Sequence, residues 1–271
     1  MNSSDANFRH AHFMEQALQL AGRGLYTTMP NPRVGCILVK DDVIIGQGWH
    51  EVAGKGHAEV NALANATQSA KGATAYVTLE PCSHFGKTPP CCDLLIKAGV
   101  ATVVVAMVDP NPAVAGNGIK RLEAAGISVI TGVLSEPARK INPGFVKRME
   151  TGLPYVYCKM AMSLDGRTSM ASGESQWITG PQARSDVQKL RARSSAILTG
   201  IGTILHDNAA LTVRAEQWYG PDLLIEPTLD EIVEQQPLRV VLDSRAQMPL
   251  KSKLLKAETP VLWLVSEQAE C

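Results

Sequence analysis

The chain has 271 residues, room for two domains of about 100–200 residues each. Hydrophobic residues make up 45% and aromatics 5%, and 26 basic residues balance 26 acidic ones, so no global field favours nucleic acid or membranes. There is no apolar run of about 18 residues, and the first ten residues are polar, so a cytoplasmic protein without a membrane span is expected. The six cysteines (Cys36, Cys82, Cys91, Cys92, Cys158 and Cys271) are too unevenly spread for a secreted disulfide framework. Clustered cysteines in a reducing compartment point instead to metal ligation or catalysis.

In chain order, Met14, Ala17, Leu18 and Ala21 recur at helical spacing and predict a helix over Phe8–Ala21, stopped by Gly22. Val34–Val39 and Val43–Trp49 read as a β-hairpin, His57–Ala66 as a helix, Ala75–Leu79 as a strand and Cys91–Ala98 as a helix. Thr102–Met107 reads as a strand buried on both faces. A helix over Gly118–Ala125, a strand over Ser128–Gly132 and a helix over Ser135–Arg148 complete an alternating α/β order, which predicts a sheet covered by helices. Turn residues at Thr151–Pro154 suggest a boundary, dividing the chain into 1–152 and 153–271. The second half reads as a strand over Tyr155–Met162, a helix over Pro181–Arg193, a strand over Ala196–Thr199, an acidic surface insertion over Glu216–Gln236, and strands over Arg239–Asp243 and Val261–Val265.

The sharpest chemical signal is His57-Ala58-Glu59 followed by Pro81-Cys82 and then Cys91. One histidine and two thiolates suit a tetrahedral zinc whose fourth position stays open for water. Such a site brings the pKa of water to about 7. Glu59, two residues beyond His57 on the same helix, is placed to move a proton to a departing amine. The pattern matches the zinc deaminases, except that eight residues separate the cysteines where two are usual. Cys92 is a spare. A purely structural zinc would need a fourth protein ligand; His84 could supply one, but Glu59 would then have no role.

Asn31-Pro32-Arg33-Val34-Gly35, Gly48-Trp49-His50, His57-Ala58-Glu59, Thr78–His84 and Gly86–Cys91 together resemble the bifunctional riboflavin biosynthesis deaminase/reductase family. In the second half Lys159–Arg167, Gly173–Thr179 and Asp243-Ser244-Arg245 resemble its reductase. The resemblance implies an α/β protein: an N-terminal cytidine-deaminase-like three-layer domain, then a dihydrofolate-reductase-like domain. It implies zinc-dependent removal of an amino group from a diaminopyrimidinone ribosyl phosphate, then NADPH-dependent reduction of the ribosyl group to ribityl. By the same resemblance one Zn2+ is held by His57, Cys82 and Cys91, with Glu59 the proton donor and acceptor.

Substrate contacts are implied at Asn31, His50, His84, Lys87 and Thr88 in the deaminase, and at Ser175, Arg191, Leu211 and Arg214 in the reductase. NADP contacts are implied at Ala161, Trp177, Thr203, Asp207 and Ser244, with Asp207 also implied in catalysis. Bland alternatives stand beside these: a turn role for Asn31, a solvated helix face for Arg191, a core or hinge role for Trp177. Gly200-Ile201-Gly202-Thr203-Ile204-Leu205 resembles a dinucleotide fingerprint but has Leu205 where a third glycine is required. The family is often oligomeric, so a homo-oligomer acting on a small molecule, and on neither nucleic acid nor membranes, is expected.

The sequence departs from the family at Asp207-Asn208-Ala209, where proline is usual in the third place. It also shows no later glycine-rich segment after Val261–Val265. A competent deaminase with a C-terminally truncated reductase that binds NADPH weakly or not at all is therefore the expectation. The rival readings are a nucleoside or tRNA base deaminase with an unrelated C-terminal domain, and a zinc-stabilised scaffold without activity.

Overall fold

Continuous apolar runs in the first half build one mixed sheet buried on both faces, because each strand sends successive side chains to opposite faces. The computed structural model describes residues 3–85, 89–112, 114–175, 177–219 and 228–269. The chain divides into two compact units, essentially Met1–Tyr157 and Cys158–Asp222 with Pro227–Cys271. No helix among the described residues is long and apolar enough to cross a membrane.

In the first unit the elements run α1 (Ser3–Arg23), β1 (Gly35–Lys40), β2 (Val43–Trp49), α2 (Ala58–Ala64), β3 (Thr74–Val77), α3 (Cys91–Ala98), β4 (Thr102–Val105), α4 (Asn117–Ala124), β5 (Ser128–Thr131), α5 (Ser135–Ile141) and α6 (Pro143–Thr151). The strand order is β2-β1-β3-β4-β5. β1 pairs antiparallel with β2 and β3, and β3, β4 and β5 are parallel. Cys36, Leu38, Ala75, Val77, Val103 and Val105 face one core with Ala58 and Ala62 of α2, Cys92 and Leu95 of α3 and Leu122 of α4. Ile37, Val39, Tyr76 and Val104 face the other core with Phe13, Met14, Ala17 and Leu20 of α1, Ala138 of α5 and Val146 of α6. The result is the expected three-layer arrangement.

α2 lies so close to β2 that Gly48 can carry no side chain: a Cβ there would stand 2.4 Å from the backbone nitrogen of Ala62 and 2.8 Å from the carbonyl oxygen of Ala58. Asn61 of α2 also donates to the Trp49 carbonyl at 2.7 Å. The single helix expected over Ser135–Arg148 is two, α5 and α6, broken at Asn142. Pro143 starts the second, where a missing N–H does no harm. Asn142 accepts from the Arg33 N–H at 2.8 Å and donates to the Arg33 carbonyl at 2.9 Å, tying the break to the turn that carries Asn31.

The second unit contains α7 (Pro181–Ala192), β6 (Ala196–Gly200), α8 (Ile201–Asp207), a 3-10 turn (Ala215–Gln217), α9 (Leu229–Glu234), β7 (Leu238–Leu242), α10 (Lys253–Lys256) and β8 (Val261–Leu264). β6, β7 and β8 form a parallel sheet in that order. One face packs Ile204, Leu211, Val241, Met248 and Leu254. Arg239 of β7 is wholly buried and donates to the carbonyls of Ala210 (3.1 Å), Leu254 (2.6 Å), Ala257 (3.4 Å) and Thr259.

The strand expected over Tyr155–Met162 does not form. The segment has no regular structure, is exposed apart from half-buried Ala161, and pairs with no strand among the described residues, so its β-propensity finds no ladder to join. The insertion expected over Glu216–Gln236 is not all irregular. It contains α9, opened by a capping box in which Thr228 and Glu231 bond each other's backbone N–H groups.

Candidate metal centre

The cluster begins with the backbone. His57 is the N-cap of α2, Glu59 stands in that helix's first turn, Cys91 is the first residue of α3, and Cys82 lies in the loop that follows β3. Of the three cluster residues, His57 and Cys91 therefore sit at helix starts and Cys82 does not. His57 Nδ1 is 3.6 Å from Cys82 Sγ and 3.3 Å from Cys91 Sγ. All three candidate ligand atoms lie within 4.8 Å of one another.

A tetrahedral zinc with ordinary Zn–N and Zn–S bonds places nitrogen and sulfur roughly 3.5 Å apart, so the donor set and its spacing fit the ion. His84 is exposed and outside this cluster, which removes it as a fourth ligand.

The thiols are tied to each other. The backbone N–H of Cys91 donates to Cys82 Sγ at 3.3 Å, and that of Cys92 to the Cys82 carbonyl at 3.2 Å. The hydrogen bond with Cys91 pulls the Cys82 thiol below its ordinary pKa. His57, hydrogen-bonded to Cys82, has its pKa raised.

Glu59 is buried, with 3% of its surface exposed. Burial pushes its carboxyl up to about 7, so it can both take and return a proton near neutrality. Cys36, fully buried on β1, has its thiol pKa raised well above the usual value by burial and by Glu59.

Asn31, half-buried, and His50, buried, are brought together: the Asn31 amide nitrogen lies 3.1 Å from His50 Nε2. His50 Nδ1 lies 3.0 Å from the Gly56 carbonyl, which can only accept, so Nδ1 carries the proton and Nε2 is the acceptor for Asn31. Burial lowers the His50 pKa, consistent with a neutral ring. Its ring meets that of His57 edge to face at 5.5 Å between centroids. Both ring nitrogens of His50 are thus engaged within the protein, and the Asn31 carbonyl oxygen takes no part in the pair. Lys87 and Thr88 lie outside the described residues.

Two residues near the cluster escaped sequence reasoning. Glu80 is a buried carboxylate two positions before Cys82, and Asp109 is half-buried with its pKa raised by burial, beside Glu80, His84 and Cys82. Glu80 stands inside the Thr78–Cys82 motif, which was its only signal. Asp109 lies in an Asp-Pro-Asn-Pro turn, where a local turn role is the ordinary reading.

In the second unit, Thr203 and Asp207 are one turn apart on α8, directly after β6, and Ser244 follows β7. All three therefore lie beyond the carboxyl ends of parallel strands, where open α/β sheets bind ligands. Thr199 donates its hydroxyl to Thr203 at 2.9 Å, and Ser266 donates to the Ser244 carbonyl at 2.7 Å. Asp207, Ser244, Ser175 and Trp177 are exposed and Ala161 is half-buried. The Trp177 ring lies under the Arg184 guanidinium at 4.4 Å.

Arg191 and Arg214 are near neighbours: burial, then the charge of Arg214, lowers the Arg191 pKa to about 10. The Arg191 guanidinium donates to the Thr212 carbonyl at 2.8 Å. Leu211 is packed in the core with φ +58°, so it can reach a ligand only through its backbone. The hydroxyl and carboxylate set beyond β6 and β7 and the paired arginines fit a dinucleotide and a phosphorylated substrate.

Residues 8–107 match the family model of the cytidine and deoxycytidylate deaminase zinc-binding region, and residues 154–270 that of the RibD C-terminal domain. The riboflavin biosynthesis protein RibD of Escherichia coli (strain K12) is 54% identical over 259 residues, covering 96% of this chain and 67% of that protein. The structure of Acinetobacter baumannii RibD has a TM-score of 0.88 at 52% identity, over 97% of this chain and 71% of that one. A diaminohydroxyphosphoribosylaminopyrimidine deaminase/5-amino-6-(5-phosphoribosylamino)uracil reductase from Thermotoga maritima has a TM-score of 0.84 at 38% identity, over 98% of this chain and 72% of that one. The chain thus spans about two thirds of its relatives' length.

Proposed function

The chain belongs to the RibD family of riboflavin biosynthesis, bifunctional enzymes that join a zinc deaminase to an NADPH-dependent reductase, and from this premise we propose the residues that carry each step. His57, Cys82 and Cys91 hold one Zn2+. When bound, zinc supplies an activated water as the nucleophile for the ring carbon that bears the amino group. Glu59 takes the water's proton onto a carboxylate oxygen and passes it to the departing nitrogen, which leaves as ammonia. The observation that carries this reading is Glu59 itself: a buried carboxyl set beside three convergent ligand atoms.

Asn31 holds the pyrimidine edge through its carbonyl oxygen, and His50 fixes that amide. His84, Lys87 and Thr88 are assigned to the substrate and its phosphate on the family pattern. In the reductase, assigned to 153–271 with the deaminase over 1–152, Ala161, Trp177, Thr203, Asp207 and Ser244 hold the cofactor. NADPH supplies the hydride that reduces the ribosyl group. Asp207, exposed at the end of α8, is the residue assigned to protonation near the sugar, and Ser175, Arg191, Arg214 and the Leu211 backbone hold the substrate. The whole acts in the cytoplasm as a homo-oligomer on a small molecule and not on nucleic acid. The balance of 26 basic and 26 acidic residues and the free thiols of the described cysteines support this reading.

The test is ammonia release from the diaminopyrimidinone ribosyl phosphate by the zinc-loaded chain, with NADPH oxidation followed in the same sample. Ammonia from wild type and none from Glu59→Gln, with zinc retained in both, is the expected result. Zinc-loaded wild type that releases no ammonia overturns the deaminase assignment. Ammonia without NADPH oxidation leaves the deaminase assignment standing and shows that the reductase half of this chain does not turn over.

A further inference from the structure

Glu80 has no place in the reaction above, yet it is almost fully buried between β3 and Cys82. Its Oε1 accepts from the backbone N–H groups of Gly118 (2.8 Å) and Ile119 (3.3 Å). Its Oε2 accepts from those of Gly116 (2.9 Å) and Asp109 (3.1 Å). Gly118 and Ile119 are in the first turn of α4, whose N-cap, Gly116, has no side chain with which to cap it. A carboxylate from the loop after β3 therefore does for α4 what a local serine or aspartate usually does.

α4 in turn grips both cysteine-bearing segments. The Cys92 thiol reaches the carbonyls of Pro81 (3.2 Å) and Gly118 (3.6 Å). A Cβ on Gly118 would stand 2.2 Å from the Pro81 carbonyl oxygen and 3.2 Å from Cys92 Sγ, so α4 is seated directly against the residue before Cys82. Arg121 of the same helix donates to the Ser83 carbonyl at 3.2 Å and to Asp93 at 2.8 Å. The contacts thus fall on both sides of Cys82 and immediately after Cys91.

We propose that Glu80 is a positioning residue for the metal centre: by capping α4 from the loop after β3 it fixes the helix that sets the distance between the Cys82 and Cys91 sulfurs. This rests on the zinc assignment above. The charge of Glu80 is needed as well as its size, because the N–H groups around it are all donors. A glutamine would turn its own N–H bonds toward some of them.

The experiment compares zinc-loaded wild type with Glu80→Gln, measuring zinc transfer to a metallochromic chelator per folded protein, and kcat and KM for ammonia release per bound zinc. Arg121→Ala is the second variant, chosen because its side chain is 41% exposed and its loss leaves the core intact. Supporting structure around metal ligands is worth about 10–100-fold in affinity or activity. Glu80→Gln is therefore expected to release zinc at least about tenfold faster, with kcat lowered and KM little changed, and Arg121→Ala is expected to shift release in the same direction by less.

A merely fold-supporting Glu80 would lower the melting temperature while leaving the zinc release rate and kcat per zinc at wild-type values, and that result overturns the proposal. Should Glu80→Gln fail to fold, a wild-type release rate in Arg121→Ala overturns it equally. Wild type that holds no zinc would instead defeat the zinc assignment, so the two failures are distinguishable.

Discussion

Asn31 donates its side-chain N–H to Nε2 of His50 across 3.1 Å, and this bond fixes the orientation of the amide. With His50 neutral and its Nδ1–H given to Gly56, a flipped Asn31 would set a carbonyl oxygen against a lone pair. The two residues should therefore act as one. Asn31→Ala and His50→Ala are each expected to lower kcat/KM for ammonia release by about tenfold, the scale of one directed hydrogen bond. The double variant should be no worse than the weaker single. Additive losses would show that His50 reaches the substrate independently.

Gly48→Ala should disturb the site from outside it. The added methyl would meet backbone atoms of α2 at 2.4–2.8 Å, and the helix must move outward to admit it. The expected cost is about 2–3 kcal/mol in urea unfolding. Because Glu59 rides on α2, a fall in kcat should accompany it. Unchanged stability would show that β2 yields in place of the helix.

Arg239→Met should destabilise the second unit. The side chain is buried beside four carbonyl acceptors and no carboxylate, so methionine removes the donors and leaves the acceptors stranded. A loss of about 3 kcal/mol is expected from denaturant unfolding. Zinc content should stay at the wild-type level, since none of these carbonyls lies in the first unit.

His10 supplies a pH dependence. Its Nδ1 lies 3.1 Å from the Tyr76 hydroxyl, and burial followed by the charge of Arg9 lowers its pKa below 6.5. The unfolded chain thus binds a proton more readily than the folded one. The stability His10 contributes is complete above the unfolded value and is lost as pH falls below it toward the folded value. From about pH 7.5 to about pH 5 the melting temperature of wild type should fall further than that of His10→Gln. Parallel curves would remove His10 from the account.

The parts of this protein that were legible in its sequence are those written in short range. The continuous apolar runs Cys36–Val39 and Val103–Val105 marked strands buried on both faces, and His57, Glu59, Cys82 and Cys91 carried the metal centre in two motifs. What escaped depends on contacts between distant segments. The partners of Glu80 are backbone N–H groups 29–39 residues later, which leave no mark on the side chains there. The orientation of Asn31 needs a histidine 19 residues away. Tyr155–Met162 has the composition of a strand, but composition does not say whether a neighbouring strand is present to pair with it.

The chain leaves the metal centre at Cys82 and comes back to the same spot at Cys91 and Cys92, whose N–H groups bond the sulfur and the carbonyl of Cys82. Eight residues intervene, and the N–H groups of the second segment close the loop at its neck, so an arriving ion meets sulfurs that are already gathered.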